Sequence, residues 1–86
     1  MSPTHSREQV LAAIQRIAAA ELRLTDPLPQ GDLADALDSV QRLTLVVAIE
    51  DHFQISFDPD DEGDAATIDG VVALVLRKLE GQDGHA

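Results

Sequence analysis

The residues of this chain that could carry chemistry are a serine, three histidines and a run of acidic residues. Ser39 follows Asp38 at the start of a predicted apolar helix, so its hydroxyl is a candidate nucleophile or modification site. A hydrolase would pair Ser39 with a histidine, and His52 lies on the same predicted helix. The thirteen residues between them correspond to about 20 Å of helix, which excludes this pairing if the helix forms. His5 and His85 lie near the chain ends, where we expect fraying.

The acidic run has a spacing similar to that of a calcium-binding loop. Asp58, Asp60, Glu62, Gly63 and Asp69 fall at relative positions 1, 3, 5, 6 and 12 of an EF-hand loop. The twelfth position normally holds a bidentate glutamate, and an aspartate there is shorter. We therefore interpret the run as a solvated acidic turn, with a calcium-binding module as an alternative.

The composition restricts the classes of function. With 86 residues, the chain can form one compact domain, which we expect to span residues 1–86. The absence of cysteine excludes a disulfide framework and a cysteine-ligated zinc site. No apolar run approaches the roughly 18 residues of a membrane span, and a net charge of −10 opposes binding to nucleic acid. We expect a cytoplasmic monomer without a resident metal ion.

The negative charge is concentrated in the middle of the chain. Residues 26–69 contain twelve acidic residues and one basic residue, Arg42, a net charge of −11. Such a field keeps a small protein in solution, and it also accelerates encounters with basic partners. The sequence therefore favours partner proteins with basic surfaces.

Helical periodicity predicts an all-α fold. Apolar residues recur at intervals of three and four in three segments, each with a capping signal before it. The three predicted long helices span about residues 5–22, 39–53 and 68–80. A short helical turn is predicted at about residues 59–63, and a frayed tail at residues 82–86. Residues 23–37 contain two prolines and a glycine within five positions, which indicates a long loop between the first two helices.

The predicted helix 39–53 carries two apolar stripes. Leu45, Val46, Ile49 and Phe53 form the first, and the second, formed by Val40, Leu43 and Val47, is centred roughly 140° away. A helix that packs on one face needs only the first stripe. The second stripe indicates either a deeply buried central helix or an exposed recognition surface.

These features together resemble the acyl carrier protein family. The resemblance extends over roughly residues 10–80, nearly the whole chain. The residues that carry it are Asp38-Ser39-Val40-x-x-Leu43, Ile49-Glu50-x-x-Phe53-x-Ile55-x-Phe57, and Thr67-Ile68 followed by Val72. The Asp-Ser-hydrophobe triplet is weak by itself, but its combination with the downstream motifs is specific. The resemblance implies a four-helix carrier bundle with three long helices and one short one.

The resemblance also implies a cofactor. Ser39 would receive 4′-phosphopantetheine from coenzyme A, transferred by a separate phosphopantetheinyl transferase, and the terminal thiol would carry acyl groups as thioesters. The protein itself would then not be an enzyme. The position of Ser39 agrees with this role, because backbone N–H groups and the helix dipole favour an anionic phosphate at a helix N-terminus.

Further positions match partner contacts of the family. In the family, the position that corresponds to Asp38 helps to bind the transferase and its metal. Val40 and Val47 match residues that touch partner enzymes beside the arm. Glu50 and Asp51 match acidic positions that meet basic patches on acyl-loading and synthase enzymes. The first stripe matches the core side of the helix, and a similar interior can shelter an acyl chain.

The chain also departs from the commonest members of the family. Gln41, Arg42 and Thr44 stand where housekeeping carriers have acidic residues shortly after the serine. The resemblance therefore leaves fatty acid, polyketide and other specialised pathways open. D-alanyl and aminoacyl carriers are an alternative with the same triplet, and a protein-interaction helical module is an alternative from another class.

Overall fold

The computed structural model describes residues 6–61 and 63–83, and the side chains of residues 6–61 and 63–80. Within these ranges the chain forms four α-helices, two short 3-10 helices and no strand, which confirms the expected all-α fold with three long helices and one short one. The α-helices are α1 (Arg7–Leu22), α2 (Leu33–Ala36), α3 (Ser39–Phe53) and α4 (Ile68–Asp83), and the 3-10 helices are Pro59–Asp61 and Asp64–Ala66.

Side-chain caps fix the starts of the long helices. Ser6 Oγ accepts a hydrogen bond from the Gln9 N–H at 3.1 Å, and Gln9 Oε1 accepts one from the Ser6 N–H at 3.1 Å. This reciprocal capping box satisfies donors that the first turn of α1 leaves without helical partners. Thr67 Oγ1 accepts from the Gly70 N–H at 3.0 Å at the start of α4. The first helix therefore begins at Arg7, and its predicted start at residue 5 lies outside the described residues.

The segment predicted as a loop over residues 23–37 contains the short helix α2. The Asp32 side chain caps it by accepting a hydrogen bond from the Ala34 N–H. Leu33 and Leu37 are buried and hold α2 on the core. The loop prediction was wrong here, because a helix of four residues is too short to show a hydrophobic period.

The helical turn predicted at 59–63 is a 3-10 helix over Pro59–Asp61, and Glu62 lies outside the described residues.

The last helix extends beyond its predicted end at about residue 80, since α4 continues to Asp83. Gly81 was the expected end of this helix, since a glycine after the last apolar residue often ends a helix in the left-handed conformation. Here Gly81 stays helical, at a cost of about 1 kcal/mol relative to alanine. Of the predicted frayed tail, residues 84–86 lie outside the described residues.

The core lies between the three long helices and is closed by the long loop. α1 packs on both α3 and α4. The core-facing side chains include Val10 and Ile14 of α1, Leu45 and Ile49 of α3, and Val72 and Val75 of α4. From the loop, Leu28 is buried, and its backbone is fixed by two hydrogen bonds to the Gln15 side chain. In the described part of the chain, no helix is long and apolar enough to cross a membrane.

Candidate functional site

Ser39 is the first residue of α3, and its side chain is exposed. Asp38 precedes it as the N-cap, with Oδ1 accepting a hydrogen bond from the Gln41 N–H at 2.7 Å. Gln41 Oε1 accepts one from the Asp38 N–H at 3.0 Å, which completes a capping box. The Asp38 carbonyl accepts from the Arg42 N–H, so the cap occupies the third and fourth amides of the helix.

The remaining groups at this helix end fit a phosphate group. Among the described residues, the Ser39 hydroxyl and the N–H groups of Ser39 and Val40 have no hydrogen-bond partner. Arg42, one turn along the helix, is exposed and forms no ion pair within the same ranges. An exposed hydroxyl, two free amides and a nearby guanidinium can accommodate a phosphodiester on Ser39 Oγ.

The second apolar stripe of α3 is exposed. Val40, Leu43 and Val47, which we call the apolar strip, keep 71%, 64% and 53% of their surface exposed. On the opposite side of α3, Leu45 and Ile49 are 2% and 0% exposed. The sequence left a buried central helix and a recognition surface as alternatives. Because α3 is buried on one side only and the apolar strip is exposed, the structure favours the recognition surface.

Glu50 and Asp51, which the resemblance treats alike, have different environments. Glu50 is half-buried, and its Oε2 accepts a hydrogen bond from the Phe57 N–H at 2.8 Å. Asp51 is exposed, and only its backbone carbonyl accepts a hydrogen bond, from the Gln54 side chain. Glu50 therefore has a structural contact, whereas the carboxylate of Asp51 is open to solvent.

Lys78 of α4 holds the acidic segment that follows Phe57. Its Nζ lies 2.9 Å from Asp61 Oδ2 and 4.0 Å from Asp58 Oδ2. The same Nζ lies 5.9 Å from the centre of the Phe57 ring. The N–H of Asp58 donates to Asp61 at 2.8 Å, and this bond, together with Lys78, lowers the pKa of the Asp61 carboxyl below its ordinary value.

The acidic run is not arranged as a calcium loop in the described structure. Asp69, the residue at the twelfth position, lies in the first turn of α4 and pairs with Arg7 at 2.9 Å. Asp64 pairs instead with Arg77 at 3.5 Å. Within residues 6–61 and 63–80, no group of three or more metal-ligating side chains could hold an ion.

His52 lies at the far end of α3 from Ser39, where it is exposed and contacts the Phe53 ring edge-on at 4.8 Å. The helical rise of α3 separates Ser39 and His52 by about 20 Å. The structure therefore excludes a hydrolase built on this pair.

An open groove, which the sequence did not predict, lies between α1 and α3. Three small or apolar residues of α1 form one wall, and members of the apolar strip with Asp51 form the other. These residues are Ala13, Ile17 and Ala20 on α1, and Leu43, Val47 and Asp51 on α3. The sequence did contain one indication of this groove. Ser39, Leu43, Val47 and Asp51 follow one another at intervals of four residues, which places their side chains along one row of the helix.

Comparison with known proteins gives a family. A family model described as "Phosphopantetheine attachment site" matches residues 12–75, more than half of the chain. Searches of curated proteins and of solved structures gave no match. Domains of this kind are sites of covalent 4′-phosphopantetheine attachment and are not catalytic themselves. The helical bundle, the exposed serine at the start of α3 and this match together show that the chain belongs to the phosphopantetheine-bearing family of acyl carrier proteins.

Proposed function

We propose that Ser39 carries the 4′-phosphopantetheine group and that the protein shuttles acyl intermediates between enzymes without catalysing a reaction itself. The observation that carries this proposal is the exposed hydroxyl at the start of α3, beside two amides without partners in the described structure. The same side chain lies within the matched residues 12–75.

The loading reaction needs little from this chain. Ser39 Oγ forms a bond to the phosphorus that bears pantetheine in coenzyme A, and the P–O bond to the adenosine bisphosphate breaks. The hydroxyl proton passes to a base of the transferase, since no histidine of the described chain lies within reach of Ser39. Asp38 fixes the helix end, and the N–H groups of Ser39 and Val40 would be available to hold the phosphodiester. The group supplies a thiol that holds an acyl chain as a thioester.

We further propose that partners dock on the exposed face of α3. Val40 and Val47 supply apolar contacts on this face, and Asp51 supplies an exposed carboxylate near its far end. Glu50 supplies a second carboxylate, whose Oε1 is not used by the hydrogen bond from Phe57 and can contribute to docking. Partner classes are the phosphopantetheinyl transferase and the acyl-loading and synthase enzymes with basic patches. Because exposed ion pairs are individually weak, docking should be additive and sensitive to salt.

The residues after Ser39 favour a partner set different from that of ordinary fatty acid synthases. The Gln41 side chain accepts a hydrogen bond from the Asp38 N–H in the cap of α3, and the Thr44 hydroxyl donates to the Val40 carbonyl at 2.9 Å. Neither side chain presents a negative charge to a partner, and Arg42 presents a positive one. We therefore favour a specialised acyl pathway, with fatty acid and polyketide synthesis as the alternatives.

The test is the intact mass of the protein isolated from its own host. We expect a phosphopantetheine mass plus an acyl mass on the wild-type chain and on Ser56→Ala, a control at another exposed serine. Ser39→Ala should carry neither mass. An alanyl adduct would identify an aminoacyl carrier, whereas an unmodified wild-type chain would contradict the carrier function.

A further inference from the structure

We propose that the groove between α1 and α3 binds the phosphopantetheine arm and the first carbons of its acyl group. This inference rests on the proposed attachment at Ser39. It differs from storage of the acyl chain in the helical interior, because the groove is an open surface on the other side of α3 from Leu45 and Ile49.

The first support is the geometry of α3. Residues four apart on a helix lie one above the other and form a continuous ridge. Ser39, Leu43, Val47 and Asp51 are such a ridge, and the last three of them line the groove. A group attached to Ser39 therefore starts at the end of the ridge that leads into the groove.

The second support is length. About thirteen bonds separate the phosphorus from the sulfur, and at roughly 3.5 Å for three bonds they reach about 15 Å. Along α3 the helical rise places Val47 about 12 Å and Asp51 about 18 Å from Ser39. An extended arm thus places its sulfur between Val47 and Asp51, inside the groove.

The third support is the chemistry of the walls. Ala13 and Ala20 are small, so the α1 wall leaves space opposite Leu43 and Val47, and Ile17 adds an apolar surface between them. Such walls suit the geminal methyl groups of the arm and an acyl chain. Arg16 and other polar residues along the groove can meet the two amides of the arm, which need hydrogen-bond partners.

The fourth support is the close packing of the helical interior, which is the alternative site for the acyl chain. The interior side of α3 is closed, with Leu45 and Ile49 at 2% and 0% exposure. Entry of an acyl chain there must separate packed side chains, and each void or strained contact carries a cost. The groove takes the same group without moving the core.

The test uses the full chain loaded from hexanoyl-coenzyme A by a broad-specificity transferase. Isotope-filtered NMR should show contacts from the hexanoyl and geminal methyl protons to the methyl groups of Ile17, Leu43 and Val47. Hydroxylamine should cleave the protein-bound thioester about threefold more slowly than free hexanoyl-pantetheine, which corresponds to about two thirds occupancy of the groove.

The matched variants are Ala20→Phe, which adds a ring to the groove wall, and Ala12→Phe, an exposed site on α1 that does not line the groove. Ala20→Phe should restore the cleavage rate of the free thioester, and Ala12→Phe should leave the protected rate unchanged. Contacts to Leu45 and Ile49 instead, or no contact with the protein, would overturn the inference. A chain that gains no mass on Ser39 would instead contradict the proposed function.

Discussion

The carboxylate of Glu50 joins the last turn of α3 to the segment that follows it, by accepting a 2.8 Å hydrogen bond from the Phe57 N–H. The Phe57 ring in turn lies under Lys78 of α4, with 5.9 Å between Nζ and the ring centre. A residue that the family resemblance assigns to docking therefore also positions the connection between α3 and α4.

The pair Glu50 and Asp51 separates structural from docking effects. Glu50→Ala leaves the half-buried Phe57 amide without its acceptor, and we expect a loss of about 1–3 kcal/mol in the free energy of unfolding. Asp51→Ala removes an exposed carboxylate and should change stability by less than about 0.5 kcal/mol. Urea unfolding of both variants provides the measurement, and equal losses would contradict these roles.

The same variants make a prediction about partners. Asp51→Ala should lower kcat/KM of the transferase at low salt, and the difference from the wild-type chain should shrink as salt is added. Loading rates across a salt series measure this. A defect of unchanged size at high salt would argue against an electrostatic docking role.

Asp38 caps α3 and also stands beside the proposed attachment residue. Asp38→Ala should cost about 1 kcal/mol of stability, because the Gln41 amide loses its acceptor. Asp38→Asn keeps an oxygen acceptor and should fold with nearly wild-type stability. If the carboxylate also contacts the transferase, Asp38→Asn should still be loaded more slowly. Thermal unfolding and loading rates of the two variants distinguish the roles, and wild-type loading of Asp38→Asn would leave Asp38 as a cap alone.

Gly70 allows the 3-10 helix Asp64–Ala66 to pack closely on α4. A Cβ at Gly70 would overlap the backbone carbonyl of Asp64, and backbone cannot move aside as a flexible side chain can. Gly70→Ala should therefore destabilise the fold by about 1–3 kcal/mol. Gly63→Ala is the control, since a Cβ there meets nothing within 4 Å and its φ of −61° suits alanine. Equal unfolding midpoints for the two variants would be inconsistent with the close approach.

The lowered pKa of the Asp61 carboxyl predicts that the stability of the fold depends on pH. The N–H of Asp58 and the Lys78 ammonium lower the pKa of Asp61 in the folded state. The unfolded chain therefore binds this proton first as the pH falls, so the stabilisation is complete above the ordinary aspartate pKa of about 4 and is lost through the lowered pKa. Asp61→Asn should be less stable than the wild-type chain at pH 6, and the gap should close in acid. Asp60→Asn, at an exposed residue without an ion pair in the described structure, should show no such gap.

The sequence predicted the features that depend on local pattern. The periodicity of α1, α3 and α4 identified three long helices, and the predicted bounds of 39–53 agree with those of α3 in the structure. The two stripes on α3 were also visible, because side-chain direction follows directly from helical spacing.

The remaining features depend on contacts between distant residues. The four-residue helix α2 follows from the burial of Leu33 and Leu37, which no local period shows. The difference between Glu50 and Asp51 depends on where the backbone of Phe57 lies. The groove arises from the packing of α1 against α3, so the sequence could place its two walls but not bring them together.

The most direct test of Ser39 as the attachment residue is the mass of the purified chain after incubation with coenzyme A and a broad-specificity phosphopantetheinyl transferase. The wild-type chain and Ser56→Ala should gain the mass of one phosphopantetheine group, and Ser39→Ala should gain none. Peptide mapping should place the added mass on the peptide that contains Ser39. No gain by the wild-type chain, or the same gain by Ser39→Ala, would contradict the assignment of Ser39 as the attachment residue.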